Sequence, residues 1–161
     1  MKNKKAIYLL IITLIIQAAI PAYLLYDNYS RRAFALENSI DYKFKLFYVS
    51  DFSDSYKFSI YDAELPYGTD TVSVSIDDDG FAKMQEYNHE GSCWVKRKTY
   101  IKATRIEAEN VIFEKDISIN DIDKALEQEN NCYLTAKVYK GVFIPTGIYI
   151  GEKRVISFNN Y

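Results

Sequence analysis

Hydrophobic and polar positions divide the chain into stretches of different period. From Ala6 to Tyr26, "AIYLLIITLIIQAAIPAYLLY", 21 residues pass without a charge. At about 1.5 Å of rise per residue, a helix of that length spans the roughly 30 Å hydrocarbon core of a bilayer. Tyr23 and Tyr26 close the run with the amphipathic rings that settle at membrane interfaces. Pro21 predicts a kink late in the helix. The pattern therefore predicts a transmembrane helix over 6–26, with residues 1–5 before it. A cleaved signal peptide is the alternative, since "QAAIPA" offers small residues for cleavage after Ala19 or Ala22. A signal's apolar stretch is about 7–15 residues, whereas this run continues past that point.

"DNYSRRAFALENS" (27–39) contains the helix formers Ala33, Leu36 and Glu37 and predicts a helical stalk that extends the span. Beyond it the period changes to two. In "DYKFKLFYVSD", Tyr42, Phe44, Leu46 and Tyr48 alternate with Lys43, Lys45 and Phe47, a strand with one buried face. "YKFSIYD" (56–62) reads as a second strand, and "LPYGTD" (65–70) as a turn. "TVSVSIDDDGFAKMQEY" reads as a hairpin turning at Asp79-Gly80, with Val72, Val74 and Ile76 on one face. "CWVKRKTYIKATRI" and "NVIFEKDI" supply further strands. "NDIDKALEQEN" (120–130) predicts the domain's helix: Asn120 caps it, Asp123 stands in its first turn, and Ile122, Ala125 and Leu126 form its apolar face. "CYLTAKVYKGVFIPTGIYIGEKRVISF" reads as a meander with turns near Gly141, Pro145-Gly147 and Gly151. The fold class expected is an N-terminal transmembrane helix plus a mostly β (β-rich α+β) domain of antiparallel strands with one short helix, over residues 40–161.

Composition supports a packed domain: 48% of residues are hydrophobic, and 15 Tyr and 9 Phe against one Trp favour strands. The lysines of "MKNKK" precede the apolar run, so residues 6–161 hold 17 basic and 22 acidic side chains, a net −5. An acidic domain without a basic stripe is poorly suited to nucleic acid. The same three lysines favour the N-terminus in the cytoplasm, against Arg31 and Arg32 on the other flank. The domain is then expected outside a bacterial cytoplasmic membrane. Membrane lipid around residues 6–26 is the expected partner, with a neighbouring membrane protein as a second.

Candidate chemistry is sparse. "GSCW" (91–94) matches part of the signature around a papain-like nucleophile. A thiolate needs a histidine base, and the chain's one histidine, His89, lies upstream, with Glu90 where the leading cysteine belongs. In "DDDG" (77–80), Asp77 and Asp79 alternate as calcium ligands would, but Phe81 follows and Gly80 comes too early. His89, Cys93 and Cys132 lack the paired spacing of a zinc site. No catalytic, cofactor-binding or metal-ligating residue is assigned. Cys93 and Cys132 permit one disulfide or two buried thiols. A pilin-like subunit would also join an apolar helix to a β-rich domain, but "KKAIYLLII" carries no acid where a pilin leader has Glu.

One resemblance covers nearly the whole chain. "IPAYLLYDNYS", the strand "YKFKLFYVSD", the pattern Asp51, Asp54, Tyr56 and Lys57, the hairpin "DDDGFAKM" with Asp79, Gly80 and Phe81, the helix "ISINDIDKALEQ" and the closing "VYKGVFIPTGIYIGEKRV" succeed one another in an order that resembles the GDYXXLXY family of bacterial membrane-anchored proteins. The eponymous motif departs here: "FSIYDAEL" (58–65) places Phe58 at the glycine. The resemblance implies an anchored extracytoplasmic domain and no enzyme activity. The expected role is a binding or scaffolding module, with an envelope enzyme using Cys93 as the alternative from another class.

Overall fold

The computed structural model describes residues 2–52, 55–60, 69–87, 93–127 and 132–159. An apolar helix leads into an antiparallel β-rich domain. The helix α1 (Lys2–Asn38) is followed by β1 (Asp41–Phe52), β2 (Ser55–Ile60), β3 (Thr71–Ile76), β4 (Ala82–Glu86), β5 (Trp94–Lys96), α2 (Arg97–Ala103), β6 (Arg105–Glu107) and a 3₁₀ turn (Ala108–Asn110). The chain continues through β7 (Val111–Phe113), α3 (Ile119–Glu127), β8 (Cys132–Tyr139), β9 (Val142–Ile150) and β10 (Lys153–Phe158).

α1 has 37 residues, about 55 Å at helical rise. It is the one helix among the described residues long and apolar enough to cross a membrane, and none of its apolar stretch is buried by the domain. The Thr13 hydroxyl donates to the Leu9 carbonyl at 2.9 Å, which satisfies a polar side chain inside the helix. The last turns behave differently. Ala35 is fully buried, Phe34 lies 4.5 Å from Tyr139 between ring centroids, and Lys137 Nζ donates to the Ser39 carbonyl at 2.6 Å. One helix thus begins as an unpacked apolar rod and ends docked on β8 and β9.

The larger sheet has seven strands in the order β6-β2-β1-β8-β9-β10-β7, and the smaller has three, β4-β3-β5. β1 joins the two halves of the larger sheet: its first half pairs with β8 and its second with β2. The sheet curls so that its ends meet through aromatic rings. Phe58 of β2 meets Phe158 of β10 edge-on at 5.5 Å, and Tyr56 meets Phe113 of β7 at 5.5 Å. Phe44, Phe58, Leu134, Ile148 and Ile156 lie fully buried in one core, joined by Val72 and Val95 from the small sheet and Ile122 from α3.

Five local expectations are corrected. In β1 the pairing shifts between Leu46↔Ile60 and Tyr48↔Ser59, so Phe47 is an extra residue. Such a bulge reverses which residues face inward; Tyr48 is 52% exposed and Val49 4%. Ile76, at the mouth of the β3–β4 hairpin, is 54% exposed and leaves the face of Val72 and Val74. The stretch expected as a strand from Cys93 to Ile106 is extended over Trp94–Lys96 and again from Arg105 in β6, but forms α2 between them. "RKTYIKA" is rich in helix formers, and Thr104 closes that helix by donating to the Tyr100 and Ile101 carbonyls. In α3 the cap is Ser118, not Asn120: Asp121 accepts from the Ser118 backbone N–H at 2.8 Å and from its hydroxyl at 2.7 Å, so the side chain at the third helical position reaches back to the cap as in one half of a capping box. Pro145-Gly147 makes no turn. It is a bulge within β9, where Ala136↔Pro145 and Thr135↔Gly147 leave Thr146 extra, a place where a residue without an N–H is tolerated.

Candidate functional site

The place where α1 enters the domain is built from three distant segments. Lys140 and Gly141 turn β8 into β9 with both φ angles positive, 40° and 86°. The Gly141 N–H donates to the Trp94 carbonyl at 2.8 Å, and a Cβ on Gly141 would meet the Trp94 ring at 2.9 Å. Glycine is required there twice, for the backbone angle and for the approach of the indole. From the other side Arg31 donates through Nη1 to the Lys140 carbonyl at 3.0 Å and pairs with the Asp27 carboxylate one helical turn earlier. Arg31 Nε is buried without a partner. Between helix, turn and β5 lies a cavity of about 200 Å³ lined by Asn28, Arg31, Trp94, Lys96, Lys140 and Gly141, among others.

A second cluster covers the outward face of β1, β8 and β9 farther from α1. Lys43 Nζ stands 5.3 Å from the Tyr133 ring centre and Lys45 Nζ 4.9 Å from that of Phe81. Phe81 meets Tyr133 edge-on at 5.9 Å, and Tyr133 stacks on Tyr149 at 5.2 Å. Burial, then the neighbouring Tyr149 and Glu152, push the Tyr133 phenol above its ordinary value. The hairpin turn supplies Phe81: Asp77 Oδ1 accepts from the Asp79 and Phe81 N–H groups, Gly80 takes φ 79°, and Asp79 lies 3.9 Å from Lys45 Nζ. The acidic turn is therefore occupied with its own backbone and a lysine.

The remaining residues of the family-like pattern lie elsewhere. Asp51 pairs with Tyr56 across β1 and β2, and Lys57 with Ser50. Asp51 is six residues along β1 from Lys45, about 20 Å at strand rise. Tyr56 packs against Phe58 and Phe113, while Asp51 and Lys57 face solvent. Asp54 lies outside the described residues, as do His89, Glu90, the 65–68 part of the turn expected at 65–70, and the ends expected for the second strand (61–62) and for the helix (128–130).

Both cysteines are free thiols. The Tyr42 hydroxyl donates to Cys93 Sγ at 2.9 Å. Burial, and then Cys93 itself, hold the Tyr42 phenol far above its ordinary value, so it stays protonated and cannot serve as a base. Cys132 opposes Ile150 at the start of β8, whereas Trp94, next to Cys93, bonds Gly141 beyond the other end of that strand. The two are not bridged: Cys132 begins β8, while Cys93 sits against Tyr42, whose strand partner is Ala136 in the middle of β8. Burial pushes the Cys132 thiol up to about 11. Among the described residues no three His, Cys, Asp or Glu side chains gather as a metal site.

The chain matches no family model, no curated protein and no solved structure. The geometry alone therefore ranks the sites. The cluster at the helix entry joins a cavity, three cations and the chain's one tryptophan. Sequence reasoning passed over it. Its nearest signal was a pair of arginines just beyond the apolar run and a Lys-Gly turn, 109 residues apart from Arg31 to Lys140.

Proposed function

We propose that the chain is a single-pass membrane protein whose β-rich domain sits on the extracytoplasmic face and acts as a binding or scaffolding module for a neighbouring membrane protein. One observation carries this reading: α1 is fully exposed along its apolar stretch and docked at its end by Ala35, Phe34 and Arg31. The helix also runs unbroken from Lys2 to Asn38, straight past Ala19 and Ala22 where a signal would be cut, so the apolar stretch and the docked end form one rod. The lysines before the span favour an inward N-terminus. The envelope-enzyme alternative draws less support, because Cys93 meets a phenol that donates to it rather than a base.

Membrane extraction and protease protection test the reading. The full chain should resist alkaline carbonate, keep its intact N-terminal mass, and lose the domain when protease is added outside spheroplasts. Crosslinking in the same membranes should recover a membrane protein. Release by carbonate, or a domain protected from outside protease, overturns it.

A further inference from the structure

The cavity at the helix entry lies at a definite depth if α1 spans a bilayer, so a reading of its ligand rests on the anchor proposed above. The uncharged run ends at Tyr26. Asn28 and Arg31 stand two and five residues beyond it, about 3 and 7.5 Å along the helix axis. The headgroup layer outside the hydrocarbon is about 5–8 Å deep on each side. Both residues therefore fall at the level of lipid phosphates. Because Arg31 is bonded to the Lys140 carbonyl and shares the cavity wall with Lys96 and Trp94, those side chains are brought to the same level.

The wall has the chemistry that a phosphate recognises. Among the described residues the lining holds three cations, Arg31, Lys96 and Lys140, and no carboxylate, with Asp27 beside it engaged by Arg31, so the wall keeps a net positive charge within an acidic domain. Arg31 holds a buried Nε–H without a partner. A guanidinium presents donors in a fork that suits phosphate oxygens, and lysines add mobile ammonium groups. The indole of Trp94 is apolar with one polar edge, as side chains at membrane interfaces are. At about 200 Å³ the space is smaller than the roughly 300–1,000 Å³ of sites for larger ligands, and suits a headgroup whose acyl chains remain in the bilayer.

We infer that this cavity binds the phosphodiester of an anionic phospholipid headgroup, with Arg31, Lys96 and Lys140 as the anion-binding residues and Trp94 packed beside them. Binding there ties the β8–β9 turn to the membrane surface and fixes the orientation of the domain above it.

Trp94 is the chain's one tryptophan, so its fluorescence reports the cavity directly. The full chain in nonionic detergent is titrated with dihexanoyl phosphatidylglycerol, with the corresponding phosphatidylcholine, and with inorganic phosphate. A saturable change in Trp94 emission is expected with phosphatidylglycerol and a much weaker one with the other two. In the double variant Lys96→Gln/Lys140→Gln the apparent affinity should fall about thirtyfold, roughly fivefold for each lysine removed from a lipid surface. Lys43→Gln/Lys45→Gln, on the other cluster, should leave it unchanged, and circular dichroism confirms that both variants are folded. No saturable change, an equal response to inorganic phosphate, or an unaltered affinity in the Lys96/Lys140 variant each overturns the inference. Carbonate fractionation of the same proteins separates the two readings: a chain that stays in the membrane while Trp94 is silent sinks the headgroup site alone, and a chain released by carbonate sinks the anchor.

Discussion

Arg31 and Lys140 are joined by a hydrogen bond of 3.0 Å between a guanidinium on α1 and the carbonyl at the tip of the β8–β9 turn. That bond converts a tether into a mount. A flexible stalk would let the domain sample many orientations relative to the helix, whereas a continuous helix bonded to a sheet turn fixes the direction of α1 against the domain. Arg31→Ala should leave membrane insertion intact and lower the domain's stability by about 1–2 kcal/mol, near the lower end for a bond to a charged group because the site is partly exposed. Denaturant unfolding of the full chain in detergent measures it. A wild-type midpoint would show that the bond holds nothing.

Gly141 and Gly151 separate two reasons for a glycine. Gly151 has φ 60° and open space where a Cβ would stand, so Gly151→Ala should cost only the left-handed backbone, about 1–2 kcal/mol. Gly141 has φ 86° and the Trp94 ring at 2.9 Å, so Gly141→Ala should cost clearly more and also shift Trp94 emission. Thermal unfolding of the two variants gives the comparison. Equal losses and an unmoved emission spectrum would mean that the ring yields freely.

Phe58 shows how far the sequence could be read. It is fully buried between Tyr56 and Phe158. The period-two pattern made β2 a strand, and burial of Phe58 is a consequence of that pattern. Phe58→Ala should cost about 3–5 kcal/mol, read from the denaturation midpoint. A loss under about 1 kcal/mol, well below that range, would mean that the sheet ends close without it.

The long helix, the hairpins and the antiparallel class were legible because each is a local pattern in the chain. The bulges at Phe47 and Thr146 were not, since one extra residue changes which side faces inward while leaving composition untouched. α2 was missed for a related reason: in "VKRKTYIKA" Val95, Ile101 and Ala103 keep the parity of a strand face, whereas the helix buries Tyr100 and Thr104 and leaves Ile101 exposed. The entry cavity was illegible because it depends on contacts between segments far apart in the chain, which no window of sequence contains.

Asp121 makes a pH prediction. The Ser118 hydroxyl and backbone N–H hold its carboxyl below the usual range. A depressed folded-state value means that the ion is favoured by folding. Its contribution is present above the unfolded value of about 3.9 and is lost as pH falls through the folded value. Asp121→Asn should therefore be less stable than wild type at about pH 6, with the difference shrinking as the pH drops below about 4. Melting temperatures across that range check it. A difference that stays constant would assign the effect to the neutral hydrogen bonds.

Cys132 makes the opposite one. Its thiol is buried at the start of β8, and burial raises it to about 11. For a group whose folded value is raised, stability is intact below the unfolded value of about 8.5 and lost as pH rises toward the folded one, because only the unfolded chain ionises easily in that window. Alkaline destabilisation between about pH 9 and 11 should be smaller in Cys132→Ala, even though that variant loses packing at neutral pH. Tyr42 is raised by burial as well and keeps part of the slope. Alkylation gives an independent reading at about pH 8: two thiols should be titrated in the unfolded, non-reduced chain, and Cys132 should stay unmodified in the folded one because its thiolate is scarce and covered. A Cys132 that alkylates at the rate of a free thiol in folded protein, or an alkaline slope unchanged in Cys132→Ala, would place the thiol in water and refute its assignment to the core.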